Sequence, residues 1–220
     1  MNLSTDVLEV ILLSLQVTTT AIFIGMLMGI PLGAFIGLHS FPGKKIVVAL
    51  IFTFMGLPPV LIGVLVYLLL SKNGLLGPLQ LLFTPEAMII AQILLVTPIL
   101  AGLTMSAVQE KERTYWETAK SLGANSYQLV WTIIKESRGG IWSGIAAAYG
   151  RAISEVGAVM LVGGNIEHHT RVMTTSIILE TRMGHFTDAL QLGLVLLLVS
   201  FIFNSFLIIG MVKNQDSKRR

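Results

Sequence analysis

Cysteine is absent from the chain, charge is scarce, and no lysine or arginine precedes Lys44. Without cysteine there are no disulfides, no thiolate metal sites and no thiol nucleophile. Charged residues are 12% of the 220 and hydrophobic residues 54%, whereas charge makes up about a quarter of an ordinary soluble domain. Such a chain is an integral membrane protein, and residues 1–220 are short enough to form one domain. Catalytic groupings are lacking as well: there is no HExxH, no GxSxG and no cluster of carboxylates with an intramembrane histidine. The nearest approach to a phosphate loop, GLHSFPGKK, has five residues instead of four between Gly37 and Gly43, and Lys45 stands where Ser or Thr is needed. ATP is not bound by that route. The formal net charge of +3 does not imply nucleic acid, because the basic residues sort by membrane side.

Charge is missing for the roughly 20 residues that a bilayer crossing needs in five places, at about 10–38, 46–70, 87–109, 139–164 and 189–212. The first follows Asp6 and Glu9 and is longer than the apolar core of a signal peptide, so it is expected to stay in the mature protein. Lys44, Lys45, Lys111, Arg113, Lys120, Lys135, Arg138, Lys213, Lys218, Arg219 and Arg220 then fall on one side, with Lys72, Arg171 and Arg182 on the other. The excess of positive charge marks the cytoplasmic side. The expectation is an all-α polytopic bundle of five transmembrane helices, N-terminus outside and C-terminus cytoplasmic. No regulatory oxyanion-binding domain is expected in the short tail after Lys213.

Gly25, Gly29, Gly33 and Gly37 recur every four residues and predict a face where another helix comes close, either within the chain or at a subunit interface. Gly140, Gly144 and Ala148 form a similar stripe. A helix as long as the first span must tilt, kink near Pro31 or project from the membrane. Gly56, Pro58 and Pro59 interrupt the second span, and Thr97 and Pro98 the third. Broken membrane helices are tolerated where they line a cavity or are packed in protein, so these residues border a pathway or are structural kinks. The fourth span holds charge at membrane depth, Arg151 and Glu155, four apart and hence expected on one helix face as a pair. The pair either borders the pathway or neutralises itself at a subunit interface. The external segment 165–188 carries Glu167, His168, His169, Arg171, Thr174, Thr175, Ser176, Glu180, Arg182 and His185. Adjacent histidines do not converge on one ion from regular structure, so no metal is expected. A short helix over MTTSIILETR that dips toward the pore is expected instead.

The long polar interval 114–136, TYWETAKSLGANSYQLVWTIIKE, reads as a cytoplasmic docking element. Thr114 and Glu117 have capping-box spacing and predict a short helix starting there. Gly123 turns the chain, and Asn125 or Ser126 caps a second helix through Trp131 to Glu136. A docking element on a chain with no energy-converting site implies a separate subunit that supplies the energy.

Glu117, Thr118, Ala119, Gly123 and Ile133 resemble the EAA loop of ABC importer permeases: Glu-Ala-Ala, three residues, Gly, nine residues, then Ile-x-Leu-Pro. Thr118 departs from the first Ala of that pattern, and Lys135 and Glu136 from its terminal Leu-Pro. Arg151 to Ala158, RAISEVGA, is similar to the Arg-Ala-Leu-Gly-Glu-Phe-Gly-Ala segment of molybdate and sulfate permeases. The details after it, Gly-Gly-Asn165-Ile, Thr170-Arg-Val-Met-Thr-Thr and Leu179-Glu-Thr-Arg182, resemble the tungstate branch. The resemblance implies a transport subunit in a prokaryotic cell membrane, carrying tungstate first, molybdate second and sulfate third. It implies a second copy of the chain, a dimer of ABC ATPase subunits, an extracytoplasmic oxyanion-binding protein and membrane lipid as partners, and no cofactor in this chain. ATPase coupling falls to Glu117, Thr118, Ala119, Gly123 and Ser126. The pathway or its gate falls to Pro58, Pro59, Thr97, Pro98, Arg151, Ser154, Glu155 and Gly157. A channel without an ATPase, or an intramembrane enzyme, is the competing class. The first has little use for a capped docking element, and the second lacks a nucleophile with its base.

Overall fold

Two long helices set the frame. In the computed structural model, which describes residues 5–216, α1 (Thr5–Leu38) and α4 (Pro85–Ser121) lie together along most of their length. The glycine stripe makes this possible. A Cβ on Gly29 would sit 2.8 Å from the Thr97 carbonyl oxygen, and one on Gly33 would run into the Ala101 carbonyl. Of the two readings of the stripe, packing within the chain is the one the structure takes. α1 passes through Pro31 unbroken and, at about 1.5 Å per residue, its 34 residues extend beyond a bilayer core.

Proline shapes the second span more severely than a kink. α2 (Lys44–Met55) and α3 (Pro59–Leu70) meet at 99°, with Pro58 extended and Pro59 opening α3 at the position where a missing N–H costs nothing. The third span corrects two expectations. α4 runs through Thr97 and Pro98 without a break. It also runs through Thr114, whose hydroxyl donates to the Glu110 carbonyl at 3.1 Å instead of capping a new helix. Thr84 is the N-cap, accepting the Ala87 N–H, with Pro85 behind it.

After the turn at Leu122–Ala124, α5 (Ser126–Ile153) begins on a full capping box: Asn125 Oδ1 accepts from Gln128 N at 2.9 Å, and Gln128 Oε1 from Asn125 N at 3.0 Å. The second docking helix does not stop at Glu136; it continues into the fourth span. Gly140 and Gly144 seat it against Ala107 and Leu103 of α4. α5 ends at Ile153, and α6 (Gly157–Gly163) leaves at 54°. The short helix expected over MTTSIILETR is α7 (Met173–Arg182), and α8 (Phe186–Asp216) closes the chain. Stacking of Phe203 on the buried Tyr149, with centroids 3.5 Å apart, attaches α8 to α5. The rest of α8 is largely open, with Leu194, Leu197, Phe201 and Phe206 exposed.

Among the described residues all regular structure is helical. α1, α4 and α8 are long and apolar enough to cross a membrane singly, and counting each bent pair as one crossing gives five. The N-terminal half of α1 meets α7 and the loop before it; the other end joins Leu38 and Ala34 of α1 to Val108, Leu129 and Ile133. The side chains of Ala119 and Lys213, and all of Lys218, Arg219 and Arg220, lie outside the described parts.

Candidate functional site

The two helix breaks face each other. A Cβ on Gly157 would meet Val60 Cγ2 at 2.7 Å, and one on Gly63 would meet Ala158 Cα at 2.7 Å, so the proline corner and the start of α6 share one tight contact. Pro58, Pro59, Ser154, Glu155 and Gly157 are thereby gathered in one region. Thr97 and Pro98 are not part of it: they lie within the unbroken α4, where Thr97 faces Gly25 and Gly29 across the α1–α4 seam and its hydroxyl is buried without a partner.

A broken helix frees backbone groups that must find partners in an apolar setting. Here side chains supply them. Glu155 lies past the end of α5, not on its face as expected from the spacing, and its Oε1 accepts the free Ala158 N–H at 3.1 Å. Thr174 of α7 donates to the Glu155 carbonyl at 2.9 Å, and Thr170 donates to the Gly163 carbonyl at the far end of α6. Gln92 of α4 donates to the Ala152 carbonyl at 3.1 Å. Ser14 of α1 accepts the Met173 N–H, an unsatisfied donor of the first turn of α7, at 2.8 Å. Ser14, Thr18, Gln92, Glu155 and Thr174 surround a cavity of about 10 Å³, about the size of one water.

Arg151 and Glu155 do approach, with Nη1 to Oε2 at 3.9 Å, but unequally: the Glu155 side chain is 3% exposed and that of Arg151 42%. The carboxylate is committed to the break, whereas the guanidinium stands at the open surface beside the exposed Ser154, whose own hydroxyl turns back to the Gly150 carbonyl at 2.8 Å.

At the opposite end, Glu117, Thr118 and Ser126 are exposed around the turn, and Gly123 has φ 78° with open space about it. Leu122, Tyr127 and Trp131 are also exposed there, at 82%, 79% and 61%. Large apolar side chains standing out from a polar element mark an interaction site. A groove of about 460 Å³ beside it runs between Gly37, Lys44, Arg113, Trp116 and Glu117. Sequence reasoning passed over these apolar residues because it read the interval for its polarity.

At the end of the bundle away from the docking turn, a crevice of about 410 Å³ opens between α1, the loop before α7, and α8. His168 meets Glu9 at 2.8 Å and Arg171 meets Glu167 at 3.4 Å on its rim. Ligand atoms of Glu180, His185 and Asp188 come within 4.8 Å of one another at the α7–α8 corner, where the His185 imidazole already hydrogen-bonds Glu180 at 2.9 Å. This trio, with neither adjacent histidine in it, is the grouping that ligand spacing in the sequence did not suggest.

The sequence from 29 to 220 matches the family described as binding-protein-dependent transport system inner membrane component. The chain belongs to this family. It is thus a multi-pass protein of the cell membrane, from a family of transport components and not of enzymes. The family member is 44% identical over 200 residues to a tungstate uptake system permease protein of Peptoclostridium acidaminophilum, covering 91% of this chain and 88% of the relative. It is 40% identical to a probable anion ABC transporter permease protein of Haloferax volcanii, covering 88% and 85%. In fold it matches a bacterial ABC transporter involved in import of the acidic polysaccharide alginate, with TM-score 0.74 over 96% of this chain and 80% of that one at 19% identity. The all-helical architecture is accordingly that of an ABC transporter permease.

Proposed function

We propose that this chain is the permease subunit of an ATP-driven importer that carries a tetrahedral oxyanion, tungstate before molybdate or sulfate, by alternating access. The likeness to a tungstate uptake permease along nearly the whole chain carries the reading. In it, residues 1–220 act as one transmembrane domain with five crossings, the N-terminus outside. The gathering of Lys44, Lys111, Arg113, Lys135 and Arg138 around the α4–α5 end supports that orientation.

The exposed turn from Glu117 to Ser126 docks on a separate ATPase subunit, one per copy of a homodimer, and a binding protein delivers the anion outside. Coupling then follows from continuity. α5 is one rod from the docking turn to the break, so its 28 residues, about 42 Å long, carry a displacement at Asn125 to Ala152 and Glu155. A rigid element that both sites bias is what a population shift requires. At the break, the half-open Arg151 supplies positive charge to the passing dianion, and the buried Glu155 braces the bend without meeting it.

The test is uptake of radiolabelled tungstate by cells expressing the chain with its ATPase and binding protein. ATP-dependent uptake reduced only by excess molybdate is the expected outcome. Equal competition by molybdate or strong competition by sulfate would move the chain to a neighbouring oxyanion, and absence of ATP-dependent oxyanion uptake would overturn the reading.

A further inference from the structure

We infer that Thr174 and Thr170 are positioning residues of transport, which lock α7 and α6 into one external unit and so fix the bend that presents Arg151 and Ser154. The inference rests on the permease reading for its functional half. Three observations carry it. The Glu155 carbonyl, in the link before α6, and the Gly163 carbonyl, at its C-terminal end, have no partner within α6, and each receives a threonine hydroxyl from the same segment: Thr174 to Glu155 and Thr170 to Gly163. Both threonines are buried, Thr170 at 1% and Thr174 at 6%, so water does not replace the donors. The segment is braced internally, with Ile166 N donating to Thr170 Oγ1 at 2.9 Å and Val172 N to Thr175 Oγ1 at 3.1 Å, and is anchored to α1, where Met173 N donates to Ser14 at 2.8 Å.

The consequence is mechanical. α6 has seven residues, too few to hold a helix in place by its own backbone bonds. Its flank packs on α3 and α4, and on the external side its ends are gripped by the 170–175 segment. A movement of α7 is therefore passed to the Glu155 carbonyl, one residue from Ser154 and four from Arg151.

The experiment uses the assembled transporter in proteoliposomes with its ATPase and binding protein, comparing Thr174→Val, which keeps shape and removes the donor, with Thr174→Ser, which keeps the donor. Uptake of tungstate by Thr174→Val is expected to fall about tenfold with assembly and basal ATP hydrolysis retained, and Thr174→Ser to restore it. Thr170→Val and Thr170→Ser should behave alike. A second readout does not depend on cargo. Because the chain has no native cysteine, Ser154→Cys gives a single thiol, and its labelling rate by a small methanethiosulfonate is expected to shift at least about threefold in the Thr174→Val background but not with Thr174→Ser. Unchanged labelling and uptake in Thr174→Val, or a Thr174→Ser variant as impaired as the valine, would overturn the inference. A labelling shift specific to valine in a transporter that takes up no oxyanion would uphold the lock and overturn the permease reading instead.

Discussion

The α1–α4 seam and the α5–α6 break are both built from residues that disfavour a plain helix, and they end in opposite ways. Along the seam, Gly25, Gly29, Gly33, Gly37, Thr97 and Pro98 leave two helices uninterrupted, and close backbone approach fills the space. At the break, Ser154 to Val156 end one helix and tilt the next, and the Ala152 and Glu155 carbonyls and the Ala158 N–H acquire side-chain partners. A proline or glycine in a membrane helix therefore does not mark a pathway by itself. What distinguishes the break is buried hydrogen-bonding capacity, from its own Glu155 carboxylate and from Gln92 and Thr174 of other elements.

The contrast can be tested from its strongest point to its weakest. Gly33→Leu should cost the most, at or above the ~3 kcal/mol upper range of overpacking, because the obstacle is the Ala101 backbone and cannot rotate away. Loss of monodisperse protein on detergent extraction would register it, and a normal melting temperature would show that the seam is looser than described. Gly123→Asp provides the opposite case: the added Cβ meets nothing within 4 Å and the strain of its positive φ is local to the turn and tolerated by Asp better than by most residues, so insertion should be intact while uptake is abolished through the lost docking fit. Normal uptake would remove the coupling role of the turn.

The break should respond asymmetrically. Glu155→Ala leaves the Ala158 N–H unpaired and is expected to lower stability by about 1–3 kcal/mol, whereas Arg151→Gln should lower uptake more than stability. In a double-mutant cycle the two should couple weakly, on the order of 0.5–1 kcal/mol, given their 3.9 Å separation and the exposed guanidinium. Strict additivity would mean that Arg151 does not respond to Glu155. The smallest effect belongs to Thr97→Val. Its hydroxyl is buried without a partner, so removal should change stability by no more than ~0.5 kcal/mol and leave uptake normal. An uptake defect would return Thr97 to the pathway and weaken the distinction between seam and break.

The sequence by itself determined the membrane class, the approximate apolar spans, the Gly123 turn, a helix cap at Asn125 or Ser126 and the family. These depend on local properties: a run without charge, a residue that tolerates positive φ, a short polar side chain ahead of a helix. It also singled out Ser154, Glu155 and Gly157, but as points on a continuous helix, because charges four apart look the same on either side of a break. Thr114 and Glu117 show the converse limit: capping-box spacing occurs inside helices too, and only the preceding turn of α4 decides that Thr114 bonds backward to Glu110. Tertiary structure alone decided that the glycine stripe is spent on α4, that Pro58 makes a corner while Pro98 does not, and that Thr170 and Thr174 close the ends of α6. The physical reason is that a backbone break is stable in an apolar bundle only where distant side chains reach its freed groups, and that reach is a property of packing, not of spacing.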